Sequence, residues 1–162
     1  MRKIRNPFID KGEFRCFGCD PRNDFGLHLE FFEEGDYIIS KWDPAENYQG
    51  YINVLHGGIQ ATLQDEIASW VVYVKAGTGG VTASMEIHYR KPVFVDQGAV
   101  TVKGHIKEIN KRIANIHTQL YNAENVLCSE ADVKYFIYPE DVAVKKLNYP
   151  GKDAFFMIEK RK

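Results

Sequence analysis

The 162-residue sequence lacks the features that would assign it to a specialised structural class. Its three cysteines are too few, and odd in number, for a disulfide scaffold, which favours a reducing cytoplasm. The longest run near the middle without a charged residue or a glycine, residues 67–74, is far shorter than the roughly 20 apolar residues that cross a bilayer. The basic N-terminus, residues 1–7, is followed by no apolar segment, so we predict no signal peptide.

An excess of charge of one sign is also missing. The 21 Lys and Arg residues nearly balance the 22 Asp and Glu residues, which argues against a general nucleic-acid binder. Apolar residues make up 44% of the chain and charged residues 27%, so a folded chain is expected rather than a disordered one. The length fits a single domain.

Hydrophobic periodicity predicts an α+β fold. Residues 1–26 are rich in turn formers and predict an irregular N-terminal arm, while 140–162 form a C-terminal extension in which 155–158 are expected to dock. Within the domain proper, 27–139, apolar residues recur at helical spacing only over 56–76, so one long helix is expected to cover one face of an antiparallel sheet. The expected strands are 27–32, 37–42, 81–89, 98–109, 112–121 and 126–138, with a loop over 43–55.

The predicted helix carries one carboxylate among small neighbours. The helical positions within about 60° of Asp65 are all small or β-branched: Gly58, Ala61, Thr62, Ala68, Ser69 and Val72. A carboxyl group in such surroundings would be partly desolvated, which suits a base or a nucleophile. The alternative is that Asp65 and Glu66 simply form the solvated side of an amphipathic helix.

A His-Gly-Gly segment, His56, Gly57 and Gly58, precedes this helix. Glycines at a helix start leave backbone N–H groups unshielded, with the positive end of the helix dipole behind them. Such an end can polarise a carbonyl group as an oxyanion hole does. Together with Asp65 two turns further on, this arrangement points to acyl-group hydrolysis.

Three segments of the chain resemble the PaaI-type hotdog-fold acyl-CoA thioesterases. The first runs from 48 to 66, with His56-Gly57-Gly58 and Asp65-Glu66 in the spacing of that family; the second is 81–92, which ends in a Tyr-x-x-Pro motif. The third is an N-terminal Cys-Phe-x-Cys lead-in over 16–27. The family signature differs at Tyr48, where His is usual, and at Ile52 and Asn53, where Pro and Gly are common.

The resemblance implies a hotdog fold, in which a curved antiparallel sheet wraps a long helix. It further implies a homodimer or a dimer of dimers with active sites at the interface, and hydrolysis of an acyl-CoA to a free acid and CoA. Asp65 would be the general base or nucleophile, the Gly57/Gly58 helix end would polarise the thioester carbonyl, and His56 would shape the turn. No cofactor is expected beyond coenzyme A as part of the substrate.

Further binding residues follow from the same resemblance. Gln49 and Gly50 would lie near the acyl thioester, and Thr82, from the partner subunit, would hold the attacking water. Arg90 and Lys91 would contact the CoA phosphates. The alternative function is a non-catalytic acyl-CoA or acyl-carrier-binding module that acts as a sensor.

Cys16 and Cys19 form a lone Cys-x-x-Cys pair, which is half of a zinc site. His28 is the nearest candidate for a third ligand in the sequence, and no second pair follows. We therefore interpret the arm as structural and expect no metal site.

Overall fold

The computed structural model describes residues 1–156, and these residues form nine strands and two α-helices. The strands are β1 (Arg2–Ile4), β2 (Phe31–Glu34), β3 (Tyr37–Trp42), β4 (Gln49–Tyr51), β5 (Val54–Leu55), β6 (Gly80–Tyr89), β7 (Val100–Asn110), β8 (Ile113–Tyr121) and β9 (Leu127–Ile137). The helices are α1 (Gly57–Val71), extended by a π-helical turn over Val72–Ala76, and α2 (Glu140–Leu147). Short 3-10 helices lie at Pro7–Asp10, Glu46–Tyr48 and Lys152–Phe155.

Seven strands form one sheet in the order β1-β2-β3-β7-β8-β9-β6, and every neighbouring pair is antiparallel. The helix α1 packs across this sheet and contacts β3, β6, β7, β8 and β9. The predicted α+β class and the antiparallel sheet with one covering helix are therefore confirmed. The strand β6 forms one edge of the sheet, directly after α1 in the chain.

The apolar stripe of α1 forms the centre of the core. Leu63, Ile67, Trp70 and Val71 are completely buried, as the helical spacing predicts. The Trp70 ring stacks on Phe31 of β2 with 4.0 Å between ring centroids. Burial of this one stripe fixes the rotation of α1 about its axis, and so the direction in which its polar residues point.

Two segments contain strands that the sequence does not predict. The arm includes β1, which pairs with β2, and the expected loop over 43–55 includes the β4–β5 hairpin. Both are too short to show a period-2 pattern. The first predicted strand, 27–32, begins only at Phe31; Leu27 and Leu29 are buried outside the sheet.

The C-terminal region packs against α1 and the arm. Phe155, expected to dock, is completely buried, and its ring lies 5.5 Å from Trp70 and 5.9 Å from Phe8. Phe156, also in the expected docking segment, is partly buried against the core, and Met157 and Ile158 lie outside the described residues. Within 1–156, no helix is both long and apolar enough to span a bilayer.

The substitution Ile67→Ala tests the role of the stripe. It deletes buried methylene and methyl groups and leaves a cavity, so the free energy of unfolding should fall by about 2–5 kcal/mol. The matched control Val144→Ala changes an exposed residue of α2 and should alter it by no more than about 0.5 kcal/mol. Urea denaturation measures both, and equal effects would contradict this account of the core.

Candidate active site

The start of α1 is organised by His56, its N-cap residue. Its Nδ1 atom accepts a hydrogen bond from the Gly58 N–H at 2.8 Å, and its carbonyl oxygen accepts from the N–H groups of Ile59 and Gln60. The expectation that both glycine amides are free is therefore wrong for Gly58. Among these first amides, the Gly57 N–H alone has no acceptor in the described part of the chain.

Close packing holds Gly57 in place. The Tyr89 hydroxyl, at the end of β6, donates a hydrogen bond to the Gly57 carbonyl at 2.7 Å. A Cβ atom at Gly50 would lie 3.3 Å from His56 Cδ2, so the β4–β5 hairpin passes directly over the histidine. The hairpin and the end of β6 thus fix the one free amide at the positive end of the helix dipole.

A cleft of about 760 Å³ opens beside this amide. It brings together six residues of interest: Gly50, His56, Gly57, Gln60, Arg90 and Lys91. Its two cationic side chains stand at the end of β6, and Arg90 is ion-paired with Glu130 at 2.6 Å. The Glu130 carboxylate offsets part of the positive charge there, and the Arg90 guanidinium holds the pKa of Glu130 below its ordinary value.

Gln49, a predicted substrate contact, does not line this cleft. Its Oε1 atom accepts a hydrogen bond from the Asn53 N–H at 2.6 Å, and the side chain lies on a separate groove with Ile52. Asn53 has a φ of 63°, a left-handed conformation that asparagine tolerates better than most residues, which explains how it replaces a glycine. Tyr48, in place of a histidine, donates to the Gly26 carbonyl and anchors the hairpin to the arm.

Asp65 is half-buried and held by two hydroxyl groups. Thr82 Oγ1 of β6 donates to Asp65 Oδ1 at 2.8 Å, and Tyr135 OH of β9 donates to the same oxygen at 3.0 Å. Both donors meet Oδ1. The Oδ2 atom accepts no hydrogen bond from the described residues. The alternative in which Asp65 belongs to a fully solvated helix face is wrong.

Thr82 therefore reaches the Asp65 of its own chain, whereas it was expected from the partner subunit. A bulge in β6 between Thr82 and Ser84 changes the register beside it. Tyr135, directly opposite Thr82, is the residue that sequence reasoning missed. Burial, and next the Asp65 charge, raise the pKa of Tyr135, so the phenol stays protonated and donates. In the sequence, Tyr135 is one more aromatic residue in a predicted strand of alternating pattern, so nothing there marks it as a partner of Asp65.

The two parts of this arrangement lie far apart in one chain. Gly57 and Asp65 are separated by eight residues of α1, about 12 Å along the axis at the helical rise per residue. A thioester carbonyl that contacts the Gly57 N–H is therefore out of reach of the Asp65 carboxylate of the same chain. The chain thus carries two separate groups of candidate residues, which we call half-sites. One is the Gly57 cleft, and the other is Asp65 with Thr82 and Tyr135.

A buried row of side-chain hydrogen bonds runs inward from the cleft. Ser129 Oγ donates to Gln60 Oε1 at 2.8 Å and accepts from Gln64 Nε2 at 2.9 Å, and Gln64 Oε1 accepts from Thr118 Oγ1 at 2.8 Å. All four residues are almost fully buried. The row fixes the position of Gln60 on the wall of the cleft. In the sequence, the only indication of this row was the pair of glutamines four residues apart on the predicted helix.

The helix packed across an antiparallel sheet is the hotdog class of domain. Solved structures of other proteins with this fold match the chain. PaaI of Escherichia coli matches with a TM-score of 0.63 at 14% identity, over 70% of this chain and 82% of that one. A hypothetical thioesterase of Streptococcus pneumoniae, solved with coenzyme A, matches with a TM-score of 0.64 at 23% identity, over 69% and 90%. These likenesses confirm the predicted hotdog fold.

Part of the sequence matches a known family. Residues 52–129 match the family model "Thioesterase superfamily", and the human acyl-coenzyme A thioesterase 13 is 29% identical over 86 residues, 52% of this chain. The match to the thioesterase superfamily thus covers just under half of the chain, and this segment contains His56, Gly57, Gly58 and Asp65. The match spans only 61% of the length of the human relative.

The substitution Ser129→Ala tests the buried row. It leaves Gln60 Oε1 without a donor and Gln64 Nε2 without an acceptor, so the free energy of unfolding should fall by about 1–3 kcal/mol. Ser40→Ala is the matched control, because Ser40 is equally buried and its Oγ has no partner among residues 1–156. Thermal or urea unfolding should show Ser40→Ala neutral or stabilising; a Ser129→Ala protein as stable as wild type would refute the role of the row.

Proposed function

We propose that this protein hydrolyses acyl-CoA thioesters to a free acid and CoA. The observation that carries the proposal is the Asp65 carboxylate, held at Oδ1 by Thr82 and Tyr135 with Oδ2 free. The match of residues 52–129 to the thioesterase superfamily and the free Gly57 amide in a cleft with Arg90 and Lys91 support it. The structures solved with coenzyme A and, in Streptococcus mutans, with acetyl-CoA suggest the substrate class.

In the proposed reaction, Asp65 Oδ2 removes a proton from a water molecule, whose oxygen attacks the thioester carbonyl carbon. The Gly57 N–H, backed by the helix dipole, stabilises the negative charge that develops on the carbonyl oxygen. The tetrahedral intermediate then collapses, the C–S bond breaks, and the CoA thiolate leaves and takes up a proton. Thr82 and Tyr135 keep the carboxylate oriented throughout.

Asp65 could instead attack the carbonyl itself and form a mixed anhydride that water then cleaves. A single turnover in ¹⁸O-labelled water separates the two routes. With Asp65 as general base the label enters only the acid product, whereas hydrolysis of the anhydride at the aspartyl carbonyl places label in the protein.

We further propose that each active site combines the Gly57 cleft of one subunit with Asp65, Thr82 and Tyr135 of a second. Gly57 and Asp65 of one chain lie about 12 Å apart along α1, so they cannot act together on one thioester carbonyl group. This separation supports the shared arrangement. The strand β6 supports it too, since its outer edge is unpaired within residues 1–156 and carries the exposed side chains of Val81 and Tyr89. A homodimer, or a dimer of dimers, would follow.

Arg90 and Lys91 are the proposed contacts for the CoA phosphates, at the rim of the cleft on the side of β6. Gly50 lies beside His56 and is the proposed neighbour of the acyl thioester, whereas Gln49 acts through the hairpin conformation that it stabilises. We retain the cytoplasm as the proposed location, because Cys16, Cys19 and Cys128 are free thiols.

The substitution Asp65→Asn should lower kcat by about 10²–10⁴-fold and leave acyl-CoA binding in place. Asparagine keeps an oxygen for the Thr82 and Tyr135 hydroxyls but cannot take up a proton. Release of free thiol from short, medium and aryl acyl-CoAs measures turnover, and calorimetry measures binding. Asp43→Asn, in an exposed loop, is the control and should retain wild-type activity.

If the wild-type protein binds acyl-CoA but releases no thiol from any member of the panel, hydrolysis is wrong. The non-catalytic sensor would then be the better function. Full turnover in Asp65→Asn would show that the protein is a thioesterase whose mechanism does not require Asp65.

Gly57→Pro deletes the free N–H at the first position of α1, where proline is well tolerated. It should lower kcat by about 10²–10³-fold, and Gly57→Ala, which keeps the N–H, should lose far less. If sites are shared, the mixed dimer of one Gly57→Pro subunit and one Asp65→Asn subunit should show about half of wild-type activity, because one of its two sites is intact.

The mixture is prepared by co-expression with two different affinity tags, and the doubly tagged species is assayed. A mixed dimer as inactive as its parents would show that Gly57 and Asp65 of one chain act on the same substrate.

A further inference from the structure

Three potential metal ligands meet on the side of α1 away from the proposed active site. Cys16 and Cys19 of the arm face Glu66, and their ligand atoms all lie within 4.8 Å of one another. Cys16 Sγ lies 3.5 Å from Glu66 Oε1 and 3.7 Å from Oε2. Glu66 was considered part of a solvated face, and this is wrong, since the arm covers it.

The separation of Cys16 Sγ from the Glu66 carboxylate fits a tetrahedral zinc site. Zinc bonds of about 2.3 Å to sulfur and about 2.0 Å to oxygen, at tetrahedral angles, place neighbouring ligands about 3.5 Å apart. Two thiolates and a carboxylate are ligands that zinc accepts, whereas magnesium and calcium prefer all-oxygen sites. His28, the third ligand considered from the sequence, is not part of this group, and its Nε2 atom bonds instead to the Asn23 carbonyl at 2.6 Å.

The surroundings orient the carboxylate toward the thiols. Trp70 Nε1 donates to Glu66 Oε1 at 3.1 Å, as an outer-shell donor does for a metal-binding carboxylate. Gly18, between the two cysteines, lies so close that a Cβ there would meet the Glu66 carboxyl group. A side chain at this position would therefore displace the Glu66 carboxylate.

No cationic side chain in the described chain is ion-paired with Glu66, whereas the neighbouring buried carboxylate of Asp20 is held by Arg22 and Arg15. Two thiolates and a carboxylate would carry three negative charges, and a divalent cation would reduce this to one.

We propose that Cys16, Cys19 and Glu66 bind a zinc ion, with water as the fourth ligand. The two thiols, and Glu66 if protonated, release their protons to solvent when zinc binds. Cys16 is only half-buried, which leaves water a path to the fourth position. The ion would join the arm to α1 at the residue after Asp65 and would have a structural role.

The test uses the full chain, reduced, freed of metal with a chelator and titrated with Co²⁺ and then Zn²⁺. We expect one Co²⁺ per chain, with a thiolate-to-cobalt charge-transfer band and the intense visible bands of a tetrahedral site, and displacement by Zn²⁺. Cys16→Ser and Cys19→Ser should each lose the charge-transfer band or weaken Co²⁺ binding by at least tenfold. Glu66→Gln should shift the visible bands.

Cys128→Ser is the matched control, because Cys128 is a free thiol in β9, and it should leave the spectrum unchanged. The absence of a tetrahedral Co²⁺ spectrum in wild type, or the same spectrum in Cys16→Ser and Cys19→Ser, would overturn the proposal. Neither readout depends on thioester hydrolysis, so this inference and the proposed function fail separately.

Discussion

Burial of one apolar stripe of α1 against the sheet is the constraint on which the other features depend. Once Leu63, Ile67 and Trp70 are fixed in the core, the rotation of the helix is set, and every other position on it points in a known direction. Asp65 then faces β6 and β9, and Glu66, one residue on and about 100° around the axis, faces the arm. Adjacent acids thus reach entirely different surroundings, Asp65 that of the proposed catalytic group and Glu66 that of the proposed zinc site.

The same helix separates polar functions along its length. Its first amide faces a cleft with two cationic side chains, and its middle carries the carboxylate, about 12 Å away. Between them, Gln60 and Gln64 enter the core and are fully satisfied by Ser129 and Thr118, which avoids the cost of unpaired buried amides. A protein that needs the helix dipole and the acid at one carbonyl group can join them only by placing two helices side by side. In the proposed reaction, this separation is the geometric reason to expect self-association.

Part of this arrangement could be predicted from the sequence, and part could not. The long helix and the four later strands follow from local periodicity, and the His-Gly-Gly and Asp65 positions follow from motif spacing. The β1 strand and the β4–β5 hairpin were missed because each is shorter than the pattern that would reveal it. Tyr135 was missed because its hydroxyl meets Asp65 only through pairing of β9 with β6, 70 residues from Asp65 in the chain. The engagement of the Gly58 amide by His56 was missed because it depends on a side-chain conformation.

The sequence by itself determined the fold class, the identity of the helix and the residue types available for chemistry, because periodicity and motif spacing act over a few neighbouring residues. The tertiary structure alone decided which of these residues meet. It placed Thr82 and Tyr135 on one oxygen of Asp65, moved Gln49 away from the cleft and brought Glu66 between two cysteines 50 and 47 positions before it. The physical reason is that side-chain contacts between distant segments are fixed by sheet register and helix rotation, which the whole core sets at once.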